Sequence, residues 1–361
     1  MRQRIPLFIR EKVWANKSLL SFLLLPFSFL YGAIIIFRNW LYEQNIFKSY
    51  SFNIPVISVG NITVGGTGKT PFIAYLARFL RDNAKRVVIL SRGYKRREYR
   101  SSVVSNRERV LVSCQEAGDE PYLLAENLSG VPVMVGRDRV GLARLVREKF
   151  QPEIILLDDG FQYRALKRDL DIVLINVNDP FGNKRLFSSG PLREPLKSLK
   201  RAHIFILTHS TSQEKIAQLT TELSKYNPEA QVFMAVYQPV KLKEFVSPKE
   251  ISFEELKIKR LYAFSSIANP LSFRNTLDSL QANIIGWEIF PDHYWYKIED
   301  LPKIEEKAVN SQAEILLTTE KDKVRLPKEW KSKLPCYILG IEIKILSGEK
   351  ILQKLVLSVC D

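Results

Sequence analysis

The sequence is poor in cysteine, in histidine and in acid. Its three cysteines, Cys114, Cys336 and Cys360, are scattered and odd in number. They make neither a disulfide framework nor a zinc spacing, which excludes the small secreted scaffolds and fits a reducing compartment. Asp and Glu number 39 against 54 Lys and Arg, a net charge of +15. Such a deficit of acid points to an anionic partner: nucleic acid, a phosphorylated substrate or an acidic membrane surface. No recognisable DNA- or RNA-binding motif accompanies the charge, so no nucleic-acid partner is expected. Internal repeats and low-complexity runs are also absent. With 46% apolar and 26% charged residues, the chain is globular and not disordered. Its length gives a prior of two domains.

What is present centres on one stretch. A β-rich apolar run over residues 54–59 leads into Thr63-Val-Gly-Gly-Thr-Gly-Lys-Thr70, and Pro71 opens a helical pattern. Strand, Gly-rich loop and helix form the context of a phosphate-binding loop. Successive N–H groups of Thr63, Val64, Gly65, Gly66, Thr67 and Gly68, with the helix N-terminus, suit a phosphate chain. Lys69 is expected to reach the β and γ phosphates of ATP, and Thr70 to ligate Mg²⁺. Thr63 stands where the general pattern has its first Gly. The competing reading is a Gly-rich turn with an incidental Lys.

Residues 18–37 carry no charge and are long enough to cross a bilayer. Pro26 and Gly32 interrupt the run. Its flanks are basic on both sides, with Arg2, Arg4, Arg10, Lys12 and Lys17 before it and Arg38 and Lys48 after it. A positive-inside bias at both ends favours a kinked helix held in one leaflet over a simple span. A buried core helix is the alternative.

Further along, residues 72–82 read as a helix and 86–90 as a strand ending in the basic loop Ser91-Arg-Gly-Tyr-Lys-Arg-Arg97. Basic loops at the carboxyl ends of strands lie where open α/β sheets bind ligands, although a solvated turn reads equally well. Residues 103–112 suggest a hairpin. Asp119 and Glu120 follow Gly118 and open a helical pattern over 122–127; they suit a first-turn cap, a base or a metal ligand, with the cap favoured locally. Residues 131–135 form a strand, followed by Gly136-Arg-Asp-Arg139 and a helix to Phe150. Ile154-Ile-Leu-Leu-Asp-Asp-Gly160 resembles a Walker-B strand, making Asp158 and Asp159 candidate Mg²⁺ ligands. Residues 171–176, 203–208, 231–237, 261–267, 315–319 and 336–345 read as later strands, and 212–226, 268–281 and 350–359 as helices. Residues 181–201 look like a substrate-facing loop or a linker. One of the three histidines, His293, sits in Phe290-Pro-Asp-His-Tyr-Trp-Tyr296, where packing is the ordinary role.

The expected fold is therefore α/β: a doubly wound sheet of the P-loop NTPase type, with a second, smaller α/β domain and an amino-terminal membrane-associated helix. The expected division is 1–50, 51–201 and 202–361, with the last helix a candidate to return to the first domain.

Together the motifs resemble the tetraacyldisaccharide 4′-kinase family. The matching pieces run in order: the phosphate loop, Ser91-Arg-Gly-Tyr94, Gly118-Asp-Glu-Pro121, Asp138-Arg-Val140, Leu157-Asp-Asp-Gly-Phe-Gln162, Gly190-Pro-Leu-Arg-Glu-Pro195, Phe290-Pro-Asp-His-Tyr294 and Thr319-Glu-Lys-Asp322. The family also carries Thr or Ser at the position of Thr63, whereas Tyr163 stands where many relatives have His. The resemblance implies ATP-dependent phosphorylation of the 4′-hydroxyl of a lipid A disaccharide 1-phosphate, giving lipid IVA. It implies Asp119 as catalytic base with His293 as its partner. Asp158, Asp159 and Glu120 are candidate metal or water ligands, and Arg92, Arg139, Gln162 and Arg193 candidate grips for phosphate or sugar. The expected place of action is the cytosolic face of the bacterial inner membrane, as a monomer. A membrane-associated partitioning or targeting ATPase is the runner-up, but such loops carry a second Lys where this chain has Val64.

Overall fold

A computed structural model of the chain describes residues 14, 19–93, 96, 101–209 and 212–360. The basic residues Arg2, Arg4, Arg10, Lys12 and Lys17, with Ser18, and Tyr94, Lys95 and Arg97 of the basic loop lie outside the described residues. The chain divides into two compact units. The larger holds the described residues up to Tyr237 together with those from Ile343 on, and the smaller is Gln238–Glu342.

In chain order the larger unit contains α1 (Leu19–Leu23), α2 (Leu25–Glu43), β1 (Val56–Gly60), α3 (Lys69–Asp82), β2 (Val87–Ser91), β3 (Ser102–Ser105), α4 (Cys114–Ala117), α5 (Asp119–Asn127), β4 (Val133–Val135) and α6 (Arg139–Phe150). It continues with β5 (Ile154–Asp158), β6 (Leu170–Asn176), a 3-10 turn (Leu196–Arg201), β7 (Ile204–Thr208), α7 (Gln213–Ser224) and β8 (Gln231–Glu244), which runs on into the smaller unit. The smaller unit contributes β9 (Glu250–Ile251), α8 (Phe253–Ile258), β10 (Arg260–Ser265), α9 (Pro270–Ser279), β11 (Asn283–Ile289), α10 (Leu301–Asn310), β12 (Ile315–Thr319), α11 (Glu320–Lys323) and β13 (Cys336–Ile345). The last helix, α12 (Glu349–Leu357), belongs to the larger unit.

The larger sheet has the order β8-β7-β6-β1-β5-β2-β4-β3. All its neighbours pair in parallel except β3, which lies antiparallel on β4. The hairpin expected over 103–112 is present in short form: Ser105 and Val110 make an antiparallel bridge, with the Asn106 N–H donating to Arg109 O at 3.1 Å and the Leu111 N–H to Val104 O at 2.8 Å. Strands β1, β2, β5 and β6 are buried throughout, as parallel strands covered on both faces must be. One face packs Val88, Leu90, Ile155 and Leu157 against Leu142 and Val146 of α6. The other packs Val173, Ile175, Phe205 and Leu207 against Ile216, Leu219 and Leu223 of α7. The chain leaves β1 toward β2 on one side and reaches β6 on the other, so the carboxyl end of β1 is the switch point where open α/β sheets form their ligand crevice.

In the smaller unit β11-β10-β12-β13 are parallel neighbours. Leu261 and Ala263 face one apolar cluster while Tyr262 and Phe264 face the other, the two-residue alternation of a strand. The boundary between units falls within β8, after Tyr237, and not after Arg201. The physical reason is that β7 and the first part of β8 extend the same parallel sheet as β6.

The amino-terminal apolar run is two helices that break at Leu24, ahead of Pro26 in the first turn of α2. No helix among the described residues is long and apolar enough to cross a membrane. Nor is α2 a core helix, because its amphipathicity is inverted. Ser28, Gly32, Ile35 and Asn39 face the protein, at helical spacing. Phe27, Phe29, Leu30, Ile34, Ile36, Phe37 and Trp40 face outward, with Phe29 74% exposed.

Candidate active site

The phosphate loop links β1 to α3. Gly68 caps α3 with φ of 83°, in the left-handed region that disfavours side chains. A Cβ there would lie 1.5 Å from the Tyr237 hydroxyl, so only Gly fits. That hydroxyl donates to the Thr67 carbonyl at 3.1 Å. Thr63 needs no such freedom: it makes a strand-like antiparallel bridge with Leu192, which explains a β-branched residue where the general motif has Gly. On either side of it, the Val64 N–H donates to Pro191 O at 2.7 Å and the Arg193 N–H to Ile62 O at 2.8 Å. The segment 190–195, expected as a substrate loop or linker, is thus strapped along the phosphate loop.

Strand pairing brings the acidic groups to the same place. Val59 and Asp158 are register partners at the ends of β1 and β5. Ser91, at the end of β2, donates its hydroxyl to Asp158 at 2.7 Å. Asp159 follows with φ of 52°, a left-handed position that Asp tolerates better than most residues. Its carboxylate takes Arg193 Nη1 at 2.8 Å on both oxygens and lies 3.4 Å from Lys69 Nζ. Arg193 also reaches Gln162 Oε1 at 3.4 Å, and Gln162 Nε2 donates to Asn61 O at 2.8 Å.

The two adjacent carboxyls are driven apart. Burial, then the negative Glu120, pushes Asp158 up to about 6, against the Ser91 hydrogen bond that lowers it. Burial would raise Asp159 too, but the charges of Lys69 and then Arg193 outweigh it and hold Asp159 well below the usual carboxylate range. Arg139 is buried with its guanidinium 4.6 Å from the Tyr163 ring centre. Burial lowers its pKa against the pull of Asp159 and Asp158. Arg92, at the end of β2, is exposed and joins the same field as a like charge to Arg139.

Asp119 is 5% exposed and is the first residue of α5, behind Gly118 at φ of 88°. It accepts the Glu120 N–H at 3.0 Å, so it is a first-turn residue with Gly118 as the cap. His293 belongs to the smaller unit, where its N–H donates to Ser266 O at 2.9 Å and its Nε2 lies 3.8 Å from Asp292.

Among the sequence-derived candidates, Lys69, Asp158, Asp159, Glu120, Arg139, Gln162 and Arg193 share one connected set of bonds and charges beside the phosphate loop. Three residues of this site receive no role from the sequence. Ser91 reads there only as the first residue of a motif after a strand. Tyr237 comes from a distant strand. Tyr163 seats Arg139, taking its backbone N–H at 3.0 Å.

Mg²⁺ takes oxygen ligands, usually one or two carboxylates with phosphates and water. Asp158 feels the negative charge of Glu120 beside it, and two carboxylates in one place at the carboxyl end of β5 fit a divalent cation. Asp159 is already neutralised by Lys69 and Arg193 and fits less well. No cluster of three or more His, Cys, Asp or Glu side chains able to hold a metal by themselves occurs among the described residues. Buried Thr67 Oγ1, Asn61 Oδ1, Ser58 Oγ and Arg139 Nε have no partner among the described residues. Buried polar atoms left open beside a phosphate loop are what a ligand would complete.

The fold and the site define a P-loop phosphotransferase. Residues 20–361 match the family model described as LpxK, tetraacyldisaccharide-1-P 4′-kinase. A tetraacyldisaccharide 4′-kinase from Halothermothrix orenii is 40% identical over 346 residues, covering 91% of this chain and 90% of that protein. One from Aquifex aeolicus is 40% identical over 333 residues, covering 92% and 97%. The crystal structure of the "apo" form of LpxK from Aquifex aeolicus, in complex with ATP, superposes with a TM-score of 0.76 at 38% identity, covering 95% of this chain and all of that one. The chain belongs to the tetraacyldisaccharide 4′-kinase family.

Proposed function

We propose that the chain transfers the γ-phosphoryl group of ATP to the 4′-hydroxyl of tetraacyldisaccharide 1-phosphate, giving lipid IVA. The observation that carries this reading is the charge cluster at the phosphate loop, where Lys69 and Arg193 share Asp159 at the carboxyl end of the central strands. Lys69 is poised to exchange Asp159 for the phosphate oxygens, where charge builds during transfer. In this reading the turn of Thr63, Val64, Gly65, Gly66, Thr67 and Gly68 surrounds those phosphates, and Arg92, Arg139, Gln162 and Arg193 are the grips for phosphate or sugar. Thr70, Asp158 and Glu120 supply the oxygen donors for Mg²⁺, with Asp159 a weaker candidate; bound there, the ion neutralises phosphate charge. Asp119 accepts the proton of the 4′-hydroxyl, with His293 as its orienting partner. Purified protein, ³²P-labelled ATP and lipid A disaccharide 1-phosphate test the reading. Label on the lipid is the expected result, lost in Asp119→Ala and reduced in His293→Ala. Label appearing only as inorganic phosphate would sink it.

The same reading places the protein on the cytosolic face of the bacterial inner membrane, as a monomer that reaches a lipid acceptor from the water side. The outward apolar face of α2 supports it, since a face of Phe, Leu, Ile and Trp gains most by entering a lipid interface. Replacing Phe29, Ile36 and Phe37 together by Ser should abolish co-sedimentation with anionic vesicles at high salt, where purely electrostatic binding is already screened. Unchanged sedimentation would remove α2 as the anchor.

A further inference from the structure

α2 is bonded to the strap that runs beside the phosphate loop and to Leu186, which bridges to Leu192 of that strap. Its Ser28 hydroxyl donates to Leu186 O at 2.9 Å and its Tyr31 hydroxyl to Arg193 O at 2.8 Å. Gly32 lets the helix backbone close on Leu186, whose Cδ1 would lie 2.7 Å from a Cβ. The other edge of the same strap is bonded to the phosphate loop through Val64 with Pro191, Thr63 with Leu192, and Ile62 with Arg193.

The joint between helix and strap is Glu194. It is fully buried, and its carboxylate receives Arg38 of α2 at 2.5 Å and Arg201 at 2.6 Å. Arg201 in turn lies 4.5 Å from the Phe161 ring centre, with Nη2 3.4 Å from Phe161 O. Glu194 therefore touches both sides of the site without entering it. Arg193, the preceding residue, grips Asp159; Phe161, at the far end of the Arg201 contact, lies two residues beyond Asp159. Two charge-assisted bonds on one buried carboxylate fix direction as well as distance.

We propose that Glu194, clamped by Arg38 and Arg201, is a positioning residue that sets Arg193 and Asp159 against Lys69, so that the seating of α2 is transmitted to the phosphate loop. The inference rests on the phosphotransfer reading of that loop. A strap that drifts by a fraction of an ångström moves Arg193 and releases Asp159, and the loss is felt where the transferring phosphoryl group must be met.

The test compares Arg38→Met, Arg38→Lys and Lys69→Ala in the full chain, with detergent-dispersed lipid acceptor so that membrane delivery plays no part. Arg38→Met breaks only the helix side and leaves Glu194 paired with Arg201, which preserves the fold. Rates are expressed per nucleotide-binding site, counted by titration with a fluorescent ATP analogue. Arg38→Met should lower kcat about 10- to 100-fold, the scale of a misplaced reacting group, with KM for ATP and for lipid within about 3-fold. Arg38→Lys, which keeps the charge, should recover most of that rate. If Arg38→Met keeps its per-site kcat within about twofold while Lys69→Ala is inactive, the positioning role is wrong and the phosphate-loop reading stands. If Lys69→Ala turns over normally, both fall.

Discussion

Asp159 in the larger unit and Asp322 in the smaller one both sit beside an arginine in a polar cluster, and their surroundings are opposite in kind. Asp322 is fully buried and accepts from Ser266 N at 2.9 Å, from the Ser266 hydroxyl, from Tyr296 at 3.1 Å and from Thr319 Oγ1 at 2.7 Å. Arg325 lies 3.6 Å away and donates to the Ser266 carbonyl and hydroxyl. Asp159 keeps 26% of its side chain exposed, and the buried polar atoms around its loop include four without partners among the described residues. A buried carboxylate that accepts four hydrogen bonds and is closed to water holds a fold together. A cluster left open, with neighbouring carboxyls driven apart, is arranged for something that arrives later.

The largest expected effect separates the two at once. Lys69→Ala should lower turnover by about 10²- to 10³-fold or more, because the ammonium acts where charge develops. Its cost in stability should be about 1 kcal/mol, since the pair keeps some contact with solvent and Arg193 still neutralises Asp159. Near-normal turnover in a phosphate-transfer assay would make the open cluster structural after all.

Asp322→Ala should show the reverse. Removing one member of a buried pair leaves Arg325 desolvated and uncompensated, costing about 3–5 kcal/mol. Denaturant unfolding followed by tryptophan fluorescence should show the midpoint falling well below that of Lys69→Ala. A midpoint equal to wild type would mean the closed cluster contributes little.

The third effect is a shift in pH. Asp158 has its pKa pushed up to about 6, so turnover that needs its ionised form should fall as pH drops through that value. Ser91→Ala removes the hydrogen bond that lowers this pKa. The acid limb of the rate profile should then move to higher pH, by up to about one unit. The stability sign is opposite to that of a paired carboxylate. The folded state holds the Asp158 proton more tightly than the unfolded chain does. Its contribution to stability is therefore fully present below about pH 4 and is lost as pH rises through about 6. An acid limb that stays fixed in Ser91→Ala would assign that limb to another group.

The contrast also marks what the sequence could reveal. The phosphate loop and the Asp158-Asp159 strand end were readable because each is contiguous, apolar before and polar after, with fixed spacing. The family resemblance assembled the remaining motifs in order. The convergence of Ser91, Tyr237 and Arg193 on that loop was not readable, since strand register and a strap from residues 190–195 create it. β11 and α10 were missed: β11 is only half-buried along most of its length, and Pro302 sits in the first turn of α10, where it is tolerated. The expected domain boundary falls too early because residues 181–201, with their Gly, Pro and basic residues, read as a loop or linker, whereas β7 and the first part of β8 continue the first sheet.

The smallest expected effect concerns Tyr163, the departure from the family pattern. Its hydroxyl accepts the Arg139 N–H at 3.0 Å and lies 3.5 Å from Asp138 Oδ1. Arg139 is the first residue of α6, whose N–H has no partner within the helix, and Asp138 as the cap already serves Gly141 at 3.0 Å. The hydroxyl thus completes the start of α6, while the ring seats the guanidinium. Tyr163→Phe keeps the ring and loses only the hydroxyl. One neutral hydrogen bond at a partly buried helix end should cost about 1 kcal/mol of stability, and turnover should fall by less than about fivefold. Tyr163→Ala removes the ring as well and should raise KM more than it lowers kcat, because Arg139 is then free to leave its seat. If Tyr163→Phe and Tyr163→Ala behave alike in steady-state kinetics, the ring does not position Arg139, and the hydroxyl is the group that matters at this position.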